Sequence, residues 1–550
     1  MLEFKGKDRA RLGGWIALLA MLTAFYLINA SSEFGGSLGG DNVMYFLLGK
    51  AIATGQGYVD LYLPGNPPHG KFPPLFPLSL APFHLVFEKP LYPMHAALCF
   101  MSALSAVVLG WWAGKRSRFT GAGFLFALAF ATLPKLYIHS THLLSEPLYM
   151  LVAYSAIVLA SPGRDKEASN RKVLGAALLC VAAFLTRSAG IAVVAAVLIS
   201  FFLEGRRVRF GHKEIPAWLM LLTLFIIVAG AWFGRNMLID GGGPGYFEQF
   251  LRADPYDLEK GTVGFSGFMT RIWESGGYYF AVLGLLGFTP AWLAAPAGLA
   301  NLAGALVLAV AALGMIADLK RGGGSALFIF TLVTVLEAVV WPYMDERFIY
   351  PVLPAMLFYV VSGVRWIAGL VSERSARRAA VALLAMVLVS QAAATYKVAS
   401  RRLTTIERPK EAVYVIGVGS WKNPVIDWSY YDIENAGSIQ EVEETMEFYT
   451  NYLIINLAAS SVVPEDAVIM SRKPMYTYYL SGRNSVPVLP DARVEKQLEY
   501  ILENDVDYIV TGLDEWNVLG PIFEERPDLF RVRAQIEPGH WAIYEVNKSL

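Results

Sequence analysis

Charge is scarce in this chain. Asp, Glu, Lys and Arg make up 17% of its 550 residues, against 55% hydrophobic, and the mean hydropathy is +0.44. A soluble chain of this length needs more charge to cover its surface, so the composition points to a polytopic membrane protein. Net charge is missing too, since 46 basic residues balance 46 acidic ones. A nucleic-acid partner, which calls for a basic surface, is therefore not expected. Cysteine is nearly absent. Cys99 and Cys180 both fall inside apolar runs, where packing is expected rather than a disulfide, a metal site or a nucleophile. There is no Gly-rich phosphate loop and no internal repeat, and Gly417-Val418-Gly419 is too little for a nucleotide site.

What the chain does have is apolar runs. Eleven are candidates to cross a bilayer, near 12–30, 91–114, 119–138, 143–161, 173–187, 189–203, 215–234, 299–319, 325–342, 348–371 and 378–397. The runs 173–187 and 189–203 are short for a span and read as a tight pair meeting at Arg187–Gly190. Basic clusters alternate between the runs: Lys115, Arg116 and Arg118; Arg164, Lys166, Arg171 and Lys172; Arg206, Arg207, Arg209 and Lys213; Lys320 and Arg321; Arg374, Arg377 and Arg378. The positive-inside rule makes these loops and the N-terminus cytoplasmic, and puts everything after residue 397 outside. Lys5, Lys7, Arg9 and Arg11 precede a first run with no small-x-small cleavage site, which reads as an uncleaved anchor. A crossing at Gly276–Pro296 would put Lys320 and Arg321 on the wrong side. Residues 265–296 are therefore expected as helices on the outer interface, with a re-entrant hairpin as the alternative.

The expected fold is a polytopic α-helical membrane protein of about 11 transmembrane helices over residues 1–400, with outer loops 31–90 and 235–298. A soluble α/β domain is expected over 401–550, because short strand patterns (EAVYVIGVG, AVIMS, SVPVLP, DYIVTG, FRVRAQI, WAIYEV) alternate there with helical ones (439–458, 475–480, 492–504, 516–524).

Ionisable groups at membrane depth are costly unless paired or in a wet cavity, so those in the outer loops are functional candidates. They are Asp41, His69, Lys71, His139, His142, Glu146, Arg187, Arg235, Asp240, Asp345, Glu346 and Arg347, with the polar Asn236 beside them. Asp41 opens the stretch Gly39–Pro77, just past a Gly-rich link. The turns that follow it, Val43–Ala53, are amphipathic enough to lie along a membrane surface. His139, His142 and Glu146 are spaced so that they could hold a divalent metal, or else build a hydrogen-bonded loop or substrate contacts. Arg347 reads as part of a local ion-paired cluster, and Arg187 and Arg235 as snorkelling side chains at helix ends.

Five motifs in sequence add a resemblance. They are Asp41 with Gly55-Gln56-Gly57-Tyr58 and Pro73-Pro74-Leu75-Phe76-Pro77; Leu144-Ser145-Glu146-Pro147; Thr186-Arg187; Trp232-Phe233-Gly234-Arg235-Asn236; and Glu346-Arg347-Phe348-Ile349-Tyr350-Pro351-Val352-Leu353-Pro354. Over residues 12–370 the chain resembles the GT-C superfamily of membrane glycosyltransferases, in particular the bacterial relatives of protein O-mannosyltransferases and of the lipid A aminoarabinose transferase. The resemblance implies transfer of a sugar from a polyprenyl-phosphate donor to an acceptor hydroxyl on protein, lipid or glycan, at the extracytoplasmic face of the plasma membrane. It makes Asp41 the general base, with Glu146 as a second catalytic candidate. Arg347, Arg235, Arg187 and Lys71 become donor-phosphate ligands, and Tyr58, His69, Asn236 and Tyr350 further pocket residues. Many members carry Asp-Glu where this chain has Asp41-Asn42. A lipid-linked sugar transporter and a non-catalytic assembly protein are the competing classes. The first calls for pseudo-symmetry and mid-membrane charge, and the second needs no acid-plus-arginine constellation.

Overall fold

The computed structural model describes residues 6–28, 30, 40–117, 120–140, 142–161, 170–210, 212–239, 246–254, 257–283, 297–322, 325–403, 412–422, 439–536 and 541–548. All eleven apolar runs carry helix. Among the described residues, six stretches are long and apolar enough to cross a membrane: Ala10–Leu27, Leu91–Ser117, Ala217–Met237, Leu302–Lys320, Glu346–Gly369 and Glu373–Ala392. The other runs form shorter helices packed among them. The run 119–138 is two helices, Thr120–Ala131 and Pro134–His139. Pro134 brings no N–H to continue the first and starts the second. Asn170–Thr186 and Ile191–Leu203 form the expected tight pair, turned through the 3₁₀ segment Ser188–Gly190.

Lipid offers no hydrophobic drive between helices, so close packing of small residues matters there. Helices Ala297–Lys320 and Leu353–Gly369 cross on Gly314 and Gly363. A Cβ at Gly314 would lie 1.9 Å from the Tyr359 carbonyl oxygen, and one at Gly363 would lie 2.0 Å from that of Val310. Away from this crossing, polar groups tie together loops that the sequence assigns to one side. Arg116 Nη2 is 2.7 Å from Asp318 Oδ1, Arg365 donates to the Ser117 carbonyl at 3.1 Å, and Ser325 Oγ donates to Glu204 at 3.1 Å. Cys99 and Cys180 are buried and are not joined in a disulfide.

The first outer loop holds two helices, Asp41–Ala53 and Leu75–Val86. The first does not lie on a membrane surface. Nine of its thirteen residues are buried, among them Val43, Leu47, Leu48 and Ala51. Apolar side chains all round a helix demand cover on every side, and here the cover comes from two directions. Leu80 of the second loop helix packs there with Met94, Leu98 and Leu143 of the bundle, and Ile454, Ile455, Ala458, Tyr476 and Trp541 belong to the same core from the C-terminal region.

That region is α/β. Its five-stranded sheet runs in the order Phe530–Ile536, Trp541–Val546, Tyr508–Thr511, Ile469–Ser471, Ser485–Pro487. The first two pairings are antiparallel and the last two parallel. Helices Ile439–Val462, Pro474–Ser481, Val494–Glu503 and Leu513–Glu525 stand where the alternation of patterns expected them. In the 265–296 segment, Phe265–Ala281 is a helix, and residues 284–296 lie outside the described residues.

Candidate active site

Gly40 takes a left-handed backbone (φ +86°), a turn that only glycine makes without strain, and it delivers Asp41 as the first residue of the helix Asp41–Ala53. An acid in the first turn also suits the helix dipole. Asp41 faces the segment after Val340. Arg347 Nη1 donates to Asp41 Oδ2 at 3.2 Å, with both side chains about a third exposed. Arg347 is held from its other side by Asp345, whose Oδ1 accepts the Arg347 backbone N–H at 2.9 Å and whose Oδ2 lies 2.8 Å from Nε. Asp345 is itself pinned, since the Tyr279 hydroxyl donates to its carbonyl and accepts from its N–H, each at 3.2 Å.

A second acid–arginine pair lies close by and is largely buried. Glu146 opens helix Glu146–Ala160, and its Oε1 is 2.7 Å from Arg187 Nη1, with Glu146 5% and Arg187 16% exposed. The Arg187 guanidinium also sits 5.5 Å over the Tyr149 ring. Glu146 lies within electrostatic reach of Arg347 as well, so the two pairs form one charge network. A buried pair of this kind is costly to break, because either partner alone is an uncompensated charge.

The remaining sequence candidates are held in hydrogen-bonded groups of their own. His69 Nδ1–H donates to Asp60 Oδ1 at 2.7 Å, and its Nε2 accepts the Phe72 backbone N–H at 2.8 Å. The Tyr58 hydroxyl donates to the Phe72 carbonyl at 2.8 Å. Arg235 donates to the carbonyls of His69 (2.8 Å) and Tyr58 (3.4 Å), and Asn236 Nδ2 to that of Gly70 (2.8 Å). Arg235 and Asn236 thus clamp the first outer loop to the end of helix Ala217–Met237. Tyr350 donates to Glu346 Oε2 at 3.4 Å, and that carboxylate also pairs with Lys135 Nζ at 3.0 Å.

His139 lies edge-on to His142 and tilted against Tyr350, each 4.7 Å away between centroids. Burial, reinforced by Arg347 and Lys135, pushes His139 down to about 3, so it is neutral at ordinary pH. Glu146 turns to Arg187 instead of these imidazoles. Among the described residues no group of three His, Cys, Asp or Glu side chains is placed to hold a metal. Of the four cations named from sequence, Arg187 and Arg347 are ion-paired and Arg235 is spent on carbonyls. Lys71 is exposed, 5.2 Å over the Phe72 ring, and makes no ion pair among the described residues.

Sequence reasoning missed the contribution of residues 472–476. The Tyr476 hydroxyl donates to Asn42 Oδ1 at 3.2 Å, across 434 residues. Nothing in the local pattern of either segment signals that contact.

No protein-family model matches the chain, and no curated protein sequence matches it. Solved structures do. ArnT from Cupriavidus metallidurans in the apo state superposes with a TM-score of 0.53 at 13% identity, covering 97% of this chain and 98% of that one. The same protein bound to undecaprenyl phosphate gives 0.52 at 12%, covering 98% of each chain. The oligosaccharyltransferase of Archaeoglobus fulgidus, tethered with an acceptor peptide containing the NVT sequon, gives 0.50 at 12%, covering 97% of this chain and 74% of that one. At such low identity the likeness speaks of fold, and it spans both the helical bundle and the α/β region. The chain is a multi-pass membrane protein that shares the fold of these two proteins.

Proposed function

We propose that this chain is an integral-membrane glycosyltransferase that moves a sugar from a polyprenyl-phosphate donor to an acceptor hydroxyl, with Asp41 as general base. The observation that carries this reading is the Asp41–Arg347 pair, seated where the bundle and the α/β region meet on one side of the first-loop helix. The fold it shares with a protein solved with undecaprenyl phosphate supports the choice of donor class.

In this reading Asp41 takes the proton of the acceptor hydroxyl as the acceptor oxygen bonds to the sugar's anomeric carbon. The bond from that carbon to the phosphate oxygen breaks, its electron pair stays on the phosphate, and polyprenyl phosphate leaves. Arg347, fixed by Asp345, orients the base. Lys71, exposed and making no ion pair among the described residues, is the first phosphate ligand. Glu146 and Arg187 act one layer back as positioning residues. Residues 1–400 carry the chemistry, and 401–550 form a cap that excludes water from the Asp41 helix. The basic loops put the N-terminus in the cytoplasm and the cap outside.

The test is release of polyprenyl phosphate from polyprenyl-phosphate-linked sugars supplied to the purified full-length chain in nanodiscs, with mixed cell-envelope acceptors. Release that depends on Asp41 supports the reading. Transmembrane movement of intact lipid-linked sugar without release supports a flippase instead.

A further inference from the structure

We propose that the C-terminal region supplies Lys473 to the donor site, where together with Lys71 it holds the phosphate that departs with its lipid. This rests on the glycosyltransferase reading above.

The placement comes first. Lys473 immediately precedes helix Pro474–Ser481, which docks on helix Asp41–Ala53 through the bond from Tyr476 to Asn42 and through Tyr479, edge-on to Phe46 at 5.6 Å. At the turn that presents Asp41, a Cβ on Gly40 would meet Met475 Sδ at 3.4 Å and Lys473 Cδ at 3.8 Å. The aliphatic stem of Lys473 therefore runs over the backbone that carries the base. Its ammonium is in electrostatic reach of both Asp41 and Lys71.

The second observation is that this lysine is kept unsatisfied. Lys473 is half-buried, and its side chain makes no hydrogen bond or ion pair among the described residues. The nearby acids are already engaged: Glu515 lies 3.9 Å from Arg472, and Asp41 bonds to Arg347. Burial, with Arg472 and Lys71 adding repulsion, holds Lys473 below the ordinary lysine value. Placing a charge among like charges and out of water costs free energy, and a bound anion would recover it. Lysines used this way at functional sites are point charges that follow an oxygen without a fixed fork geometry.

The third strand is charge balance. A sugar linked to a polyprenyl phosphate is a phosphodiester with one negative charge. When the bond to the anomeric carbon breaks, the phosphate oxygen keeps the electron pair and becomes a monoester with about 1.5 to 2 negative charges at pH 7. One cation matches the diester, and a second is needed as the bond breaks. Lys473 from the C-terminal region is in reach of Asp41 and also of Lys71 from the first loop. Lys473 thereby stabilises charge that develops during transfer, which is where binding energy raises the rate.

The experiment compares undecaprenyl phosphate with uncharged undecaprenol as probes, binding each to the full-length chain in nanodiscs. The Lys473→Met variant keeps the stem over Gly40 and removes only the charge. It is expected to lose roughly tenfold in affinity for undecaprenyl phosphate, the size of one charged hydrogen bond, and nothing for undecaprenol. Lys473→Arg is expected to keep most of the phosphate preference. Loss of both probes alike would mean that Lys473 only docks the cap, and unchanged binding of both would mean that it touches neither; each overturns the proposal. Wild-type protein that fails to prefer the phosphate over the alcohol would overturn the glycosyltransferase reading, and this inference with it.

Discussion

Arg347 reaches Asp41 across 306 residues of sequence, Nη1 to Oδ2 at 3.2 Å, and no other cation pairs with that carboxylate among the described residues. If Asp41 is the base and Arg347 its positioner, the two variants separate by kinetics. Asp41→Asn keeps size and removes basicity, so turnover is expected to fall by roughly 10²–10⁴-fold with donor affinity intact. Arg347→Ala is expected to cost about 10² in turnover, and the double variant little more than Asp41→Asn alone, because the residues act as a unit. Additive losses would mean that Arg347 works independently of the base.

Glu146 and Arg187 form a buried pair, and removing one partner strands the other. Glu146→Gln is expected to destabilise the protein by about 3–5 kcal/mol. Combining it with Arg187→Gln should restore part of that, as read by the unfolding midpoint. A chelator is expected to leave activity unchanged, since Glu146 is turned to Arg187 and away from His139 and His142. Loss of activity on chelation, matched by Glu146→Gln, would restore a metal role for those three residues.

The crossing at Gly314 can be tested without touching the site. Gly314→Ala places a methyl 1.9 Å from the Tyr359 carbonyl oxygen and should cost about 1–3 kcal/mol as the helices separate. Gly276→Ala, in helix Phe265–Ala281 with open space around it, should be neutral or stabilising by up to about 1 kcal/mol. Equal effects at the two positions would contradict the close crossing.

His139 gives the fold a pH dependence with a definite sign. Its value falls from 6.5 to about 3 on folding, so between those limits the unfolded chain binds the extra proton. Stability is full above pH 6.5 and is lost on acidification, by at most about 1.4 kcal/mol per unit. Urea unfolding at pH 7 and pH 5 should show a smaller loss in His139→Gln than in wild type. An equal loss would place His139 in contact with water.

The fold could be read from sequence wherever one physical rule acted locally. Apolar length found the spans, and alternation of patterns found the order of the α/β region. The helix Asp41–Ala53 was misjudged because an apolar helix with a few polar positions looks the same beside lipid as beneath a protein cap. Only the long-range packing of Trp541 and Ile454 decides between them. Arg235 and Asn236 stand within a recognisable motif, yet their task is set by the loop carbonyls of Tyr58, His69 and Gly70, which no motif reveals. Lys473 had no signal at all, because its partners lie at the far end of the chain.

The most direct measurement is mass spectrometry of lipid co-purifying with the full-length protein, in wild type and in Asp41→Asn. The expected result is an isoprenoid phosphate in both, with the sugar still attached in Asp41→Asn and the free polyprenyl phosphate dominant in wild type. Phospholipid alone in both preparations, or a sugar-linked lipid in equal proportion in both, would contradict Asp41-dependent transfer from a polyprenyl-phosphate donor.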